Sequence, residues 1–90
     1  MLALVASTVM AQGQPQCGER DKVLDQLAQK YQEAPVAIGV TTTGGLIEVL
    51  TAAKGETWTI IVTTPQGMSC MVAAGEGWRD IRLQPQGHAI

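Results

Sequence analysis

At Pro35 the hydrophobic repeat of this chain changes, and it does not change back. Before the proline, residues 18–32 (GERDKVLDQLAQKYQ) repeat at helical spacing. At roughly 100° per residue, Val23, Leu24, Leu27, Ala28 and Tyr31 fall within one arc of about 140°. Asp21, Asp25, Gln26, Gln29 and Gln32 lie on the other side. Glu19 and Asp21 stand in the first turn and Lys30 in the last, the polarity that suits a helix dipole. Pro35 ends the helix and pushes Ala34 towards an extended conformation.

From Val36 onward the period is two. Val36, Ile38 and Val40 alternate with Ala37 and Gly39, and Gly44-Gly45 marks a turn. Leu46–Thr51 is a second strand, followed by a turn at Ala53-Lys54-Gly55-Glu56. Thr57–Thr64 is rich in β-branched residues and is the strongest strand signal in the chain. After the turn at Pro65-Gln66-Gly67, Met68–Ala74 returns as a fourth strand. Such short links between successive strands imply antiparallel hairpins. The expected fold is therefore α+β, with one amphipathic helix packed on a four-stranded antiparallel meander. Residues 17–80 form its single domain, and residues 81–90, which lose the period, form a mobile tail. The helix is expected to cover Trp58, Ile60, Val62, Cys70 and Val72. The opposite face would then show Ile47, Val49, Ile61 and Met71 among threonines and Ser69, more apolar than a solvated face needs to be.

The chain's first eleven residues, MLALVASTVMA, carry no charged side chain. They are too short to span a bilayer, which takes about 20 apolar residues, so no stable membrane span is expected. They read as the apolar core of a secretory signal, with Val9 and Ala11 before a cleavage site at Gln12. Residues 12–16 then begin the mature chain. A signal also needs a basic leading region, so translation is expected to start upstream of Met1; the competing assignment makes residues 2–11 a buried element of the domain. Export to the periplasm or beyond is the expectation.

Cys17 and Cys70 suit that compartment. Two lone cysteines in an oxidising environment most simply pair with each other. Closing so long a loop contributes roughly 4 kcal/mol in the chain-entropy picture, a large share for a domain this small. With a single His, His88 in the tail, they do not complete a zinc site.

Function is harder to read. Eight acidic and six basic residues give a net charge of −2, which excludes a general nucleic-acid binder. No catalytic residue, metal-ligand set or cofactor motif is assigned: His88 lies in the tail, Ser69 is on no nucleophile elbow, and the glycine pairs are turn glycines. Glu48, Glu56, Glu76 and Asp80 are spread singly and read as solvated charges. Arg20 falls at the centre of the helix's apolar arc. There it either snorkels outward past the end of the sheet or pairs with Glu76. Trp78 either caps the core or presents a stacking ring. The expected function is a non-catalytic interaction module, with Glu76, Trp78, Arg79, Ile61 and Met71 as candidate contact residues. Its partner is expected to be another protein or a second copy in a weak homodimer. The alternatives are a small enzyme whose carboxylates meet only in the fold, and a secreted inhibitor that inserts the Gly75–Trp78 turn into a cleft.

The run from Glu56 to Arg79, ETWTIIVTTPQGMSCMVAAGEGWR, resembles the signature of a family of small exported bacterial proteins of unknown function. In that pattern a Cys-led helix ending in Tyr-x-Glu-x-Pro precedes the strands. Cys17, Tyr31, Glu33, Pro35, Trp58, Pro65, Gly67, Cys70, Glu76 and Trp78 occupy the matching positions. The resemblance, over residues 17–79, implies export, paired cysteines and a single domain, and carries no activity.

Overall fold

The computed structural model describes residues 16–81. The expected signal (1–11), residues 12–15 and the tail beyond Ile81 lie outside the described residues. The elements follow in the order β1 (Gln16–Glu19), α1 (Arg20–Tyr31), β2 (Ala34–Val40), β3 (Leu46–Thr51), β4 (Thr57–Thr63) and β5 (Met68–Glu76). The helix and the four expected strands are all present. The sheet has five strands rather than four, in the order β1-β5-β4-β3-β2, every neighbour antiparallel. β1 and β2 therefore run in the same direction at opposite edges, and α1 crosses one face of the sheet to join them.

The additional strand explains the disulfide. The Cys-led helix of the resemblance places Cys17 at the head of α1. It lies instead in β1, directly opposite Cys70 in the ladder, and the two are bonded. The bond joins the two neighbouring strands at one edge of the sheet rather than stapling helix to sheet.

The helix covers the face opposite to the one expected. Pairing of Glu48 with Ile61, Leu50 with Thr59 and Thr63 with Ser69 sets these residues on one side. All six are buried under α1, Ile61 completely. Val23 and Leu27 of the helix meet Leu50 and Ile61 there, with Leu24 and Met71 packed against them. Ile61 thus belongs to the core, and Met71, half-buried, packs against it on the helix side rather than standing on the sheet's open face. Trp58, Ile60 and Val62 lie on the open side with Ile47 and Val49. Two physical causes underlie the exchange. Thr57–Thr63 is β-branched at both parities, so a slip of one residue costs little in pattern and swaps the faces. A bulge between Ile60 and Ile61 in the β4–β5 ladder then leaves Val72 unpaired and moves Ala74 and Glu76 to the helix side.

α1 ends where Gln32 adopts the left-handed conformation (φ 55°). Its N–H bonds back to Ala28 O, and the next N–H, from Glu33, reaches Leu27 O. This closing turn satisfies the last helical carbonyls and sends Glu33 down beneath the helix.

Candidate functional site: a cleft between the helix and the last strand

Two carboxylates lie under α1, one at each end. At the N-terminal end Glu48, 2% exposed, receives the Arg20 guanidinium bidentately: Nε to Oε1 at 3.0 Å and Nη2 to Oε2 at 2.7 Å. The hydrogen bond to Glu48, and after it the attraction of the same carboxylate, holds the guanidinium above its already high pKa. Arg20 therefore neither snorkels free nor pairs with Glu76, and Glu48 is not a solvated charge. At the C-terminal end Glu33, 3% exposed, takes a hydroxyl on each oxygen, from Thr57 at 2.7 Å and Thr59 at 2.8 Å. A third buried polar contact, Thr63 Oγ1 to Ser69 Oγ at 2.6 Å, completes the layer. Every buried side-chain polar atom among the described residues has a partner.

Beside Glu33 opens a cleft of about 490 Å³. One wall is α1, through Gln26, Leu27, Lys30 and Tyr31; the other is β5, through Met71, Ala74, Gly75 and Glu76. Thr57 and Thr59 join Glu33 in its lining, and Gln16 of β1 lines it as well. Leu27, Met71 and Ala74 make part of it apolar, while Lys30 and Glu76 place one charge of each sign at the opposite walls. Tyr31, expected in the helix's buried arc, is nearly half exposed here. β5 borders the cleft as a partly open edge. β1 pairs only with Met68–Met71, so the stretch from Val72 to Glu76 has no strand beside it on that side among the described residues. Alternate backbone N–H and C=O groups of that stretch face away from β4.

The expected contact residues divide between several places. Glu76 lines the cleft. Trp78 is half-buried on the open side, its ring 5.6 Å from that of Trp58 and tilted by 55°. Trp58 lies over Gly75, where an added Cβ would come within 2.9 Å of the ring. The Gly75–Trp78 turn is anchored rather than protruding, since Gly77 N–H bonds Glu56 O and Trp78 N–H bonds Gly55 O. Trp78 and Arg79 line a second hollow, of about 390 Å³, with Val36 and Lys54. Ile61 is core, whereas Met71 is half-buried, packs against that core and also lines the cleft. Glu33 has no sequence signal beyond its place in the Tyr-x-Glu-x-Pro run. No group of three or more His, Cys, Asp or Glu among the described residues is placed to hold a metal.

These features define the class of protein: a disulfide-bonded α+β domain with a helix-and-edge-strand cleft. Comparison with protein-family models, curated proteins and solved structures returns no match. The disulfide points to an oxidising compartment outside the cytoplasm. No helix among the described residues is long and apolar enough to cross a membrane.

Proposed function

We propose that the protein is an exported, non-catalytic binding module that takes an extended segment of a partner protein into the cleft between α1 and β5. One observation carries the reading. Among the described residues, β5 from Val72 to Gly75 has outward main-chain groups with no strand partner along a cleft whose opposite wall is a helix, while Glu76 O is already taken by the Trp58 indole N–H at 3.1 Å. An added strand would satisfy those groups, and its alternate side chains would meet Leu27, Ala74 and Tyr31. Lys30 and Glu76 would favour a segment carrying charges of both signs. The volume suits a few residues of peptide rather than a folded domain. Periplasmic or secreted location fits both the disulfide and the signal-like first eleven residues.

The test is to pan a random heptapeptide display library on the oxidised protein. Selected peptides are then titrated by fluorescence anisotropy against wild type and Ala74→Trp, whose larger side chain fills the cleft from an exposed position. Enriched peptides that bind Ala74→Trp at least tenfold more weakly, at unchanged melting temperature, support the reading. Absence of enrichment on wild type refutes it. Chains starting at Gln12 and at Gln16 are compared, because residues 12–15 lead directly into β1 and are a competing occupant. Binding confined to the shorter chain would also overturn the proposal.

A further inference from the structure

The sheet's other edge has a different character. β2 reads APVAIGV, without one charged side chain, and Val36, Ile38 and Val40 are all exposed. Ile38 is 62% and Val40 76% exposed, since the helix does not reach over this strand. Edge strands of soluble proteins usually carry charges, prolines or bulges that discourage pairing. Here those devices lie only in the first half: Pro35 lacks an N–H, and the ladder shifts register between Pro35 and Ala37. Among the described residues, nothing guards the half from Ala37 to Val40.

The backbone of that half has a definite polarity. Thr41 N–H bonds Gly45 O in the β2–β3 hairpin, so Thr41 points its main-chain groups towards β3. By alternation Val40 points outward, Gly39 inward and Ile38 outward. Ile38 and Val40 therefore present both outward main-chain groups and, on the helix side, the exposed side chains of this edge. A two-fold axis at Gly39 brings Ile38 of one copy opposite Val40 of the other, and each such pair exchanges its N–H and C=O bonds. Gly39 meets itself at the axis, where the absent side chain suits the close approach of a non-hydrogen-bonded pair.

We infer that β2 is a self-association edge: a second copy of this chain adds antiparallel to it about Gly39, joining the two sheets into one. The strand is self-complementary in register, in side-chain size and in lack of charge. A contact of this length buries less than the roughly 1,200 Å² of a standard interface, so the dimer is weak and forms at high micromolar concentration. The α1–β5 clefts then stand at the two far ends of the joined sheet, where a bivalent partner would reach both. The inference does not depend on what those clefts bind.

Sedimentation equilibrium of the oxidised wild-type protein, from about 10 µM to about 1 mM, reads the association directly. The expected result is a reversible monomer–dimer equilibrium. Ile38→Lys and, separately, Val40→Lys should weaken it at least tenfold at unchanged melting temperature, since both positions are exposed. Ile47→Lys, on the open face of the neighbouring strand, should leave it within twofold. A wild type that stays monomeric throughout overturns the inference. So does dissociation by Ile47→Lys but not by the two β2 variants, which would assign the contact to the sheet faces.

Discussion

Removing Arg20 should cost more than neutralising the carboxylate it holds. Glu48 is 2% exposed, whereas the Arg20 side chain keeps 35% of its surface. In Arg20→Met the methionine retains most of the packing, but Glu48 is left charged and dry beneath α1, on the face it shares with Leu50 and Ile61. Breaking a buried ion pair this way costs about 3–5 kcal/mol. The partial exposure of the guanidinium lets some water in and brings the expectation to about 2–4 kcal/mol. In Glu48→Gln the arginine can turn towards solvent, and the loss is about 1–2 kcal/mol, the worth of a charged hydrogen bond. Replacing both by methionine should be nearly neutral relative to wild type, because no charge is then stranded.

Urea denaturation of the oxidised protein, followed by tryptophan fluorescence, gives each value from the midpoint and slope. The penalty of Arg20→Met should also shrink as pH falls. A carboxyl stranded in the core prefers its proton, so the folded variant binds more protons than the unfolded chain and gains relative stability in acid. A cost below about 1 kcal/mol for Arg20→Met would refute the reasoning, placing the pair among surface salt bridges. A larger cost for Glu48→Gln than for Arg20→Met would refute it equally.

Ile61→Ala should destabilise by about 2–5 kcal/mol through loss of burial and the cavity left under α1, measured by the same urea titration; a change within 0.5 kcal/mol, a surface-like effect, would put Ile61 back on an open face. Replacing Cys17 and Cys70 together by serine should lower stability by about 2–5 kcal/mol, and intact mass without reductant should show the wild type about two hydrogens lighter than its reduced form. Gln32→Gly should raise stability by about 0.5–1 kcal/mol, because the left-handed conformation that closes α1 strains a residue with a Cβ; a loss would show that the Gln32 side-chain bond to Gln29 O matters more.

The sequence pattern located α1 and the strands β2 to β5 to within two residues at each end. It worked because Pro35, the Gly44-Gly45 turn and the Pro65-Gln66-Gly67 turn punctuate two unambiguous periods. β1 was not legible. Gln16–Glu19 is four residues long, holds little apolar pattern and runs straight into the helix, so Gln16 reads as the end of the leading segment and Gly18 and Glu19 as the start of α1. The choice of face failed for a different reason. The outer side of β4 carries Trp58, Ile60 and Val62, bulkier than the Thr57, Thr59, Ile61 and Thr63 that the helix covers. Size alone favours the wrong side, because the covered side is completed by hydrogen bonds rather than by volume. A signal for the correct parity was present: Glu48 shares its parity with Leu46 and Leu50, and Arg20 sits in the helix's apolar arc. Two opposite charges, each on the side of its element that the apolar neighbours mark as inward, are a paired prediction of burial against each other.

Glu33 joins the folding argument to the functional one. A helix laid over a threonine-lined strand leaves hydroxyls that must find acceptors, and Glu33, just past the end of α1, supplies one carboxylate with an oxygen for each of Thr57 and Thr59. That arrangement depends on where the helix ends, since only the reversal at Gln32 turns residue 33 back under it. The same reversal leads the chain to Pro35 and into the edge strand β2 while Tyr31 and Lys30 stay above the cleft on the other side. The capping turn thus fixes three things at once: the polar floor beside the cleft, the wall opposite β5, and the entry into the strand that carries the self-association edge. Among the described residues the sheet is left with two partly unpaired edges of unlike character. One is bordered by a cleft with charges of both signs, suited to a foreign segment. The other is uncharged and symmetric about Gly39, suited to its own copy.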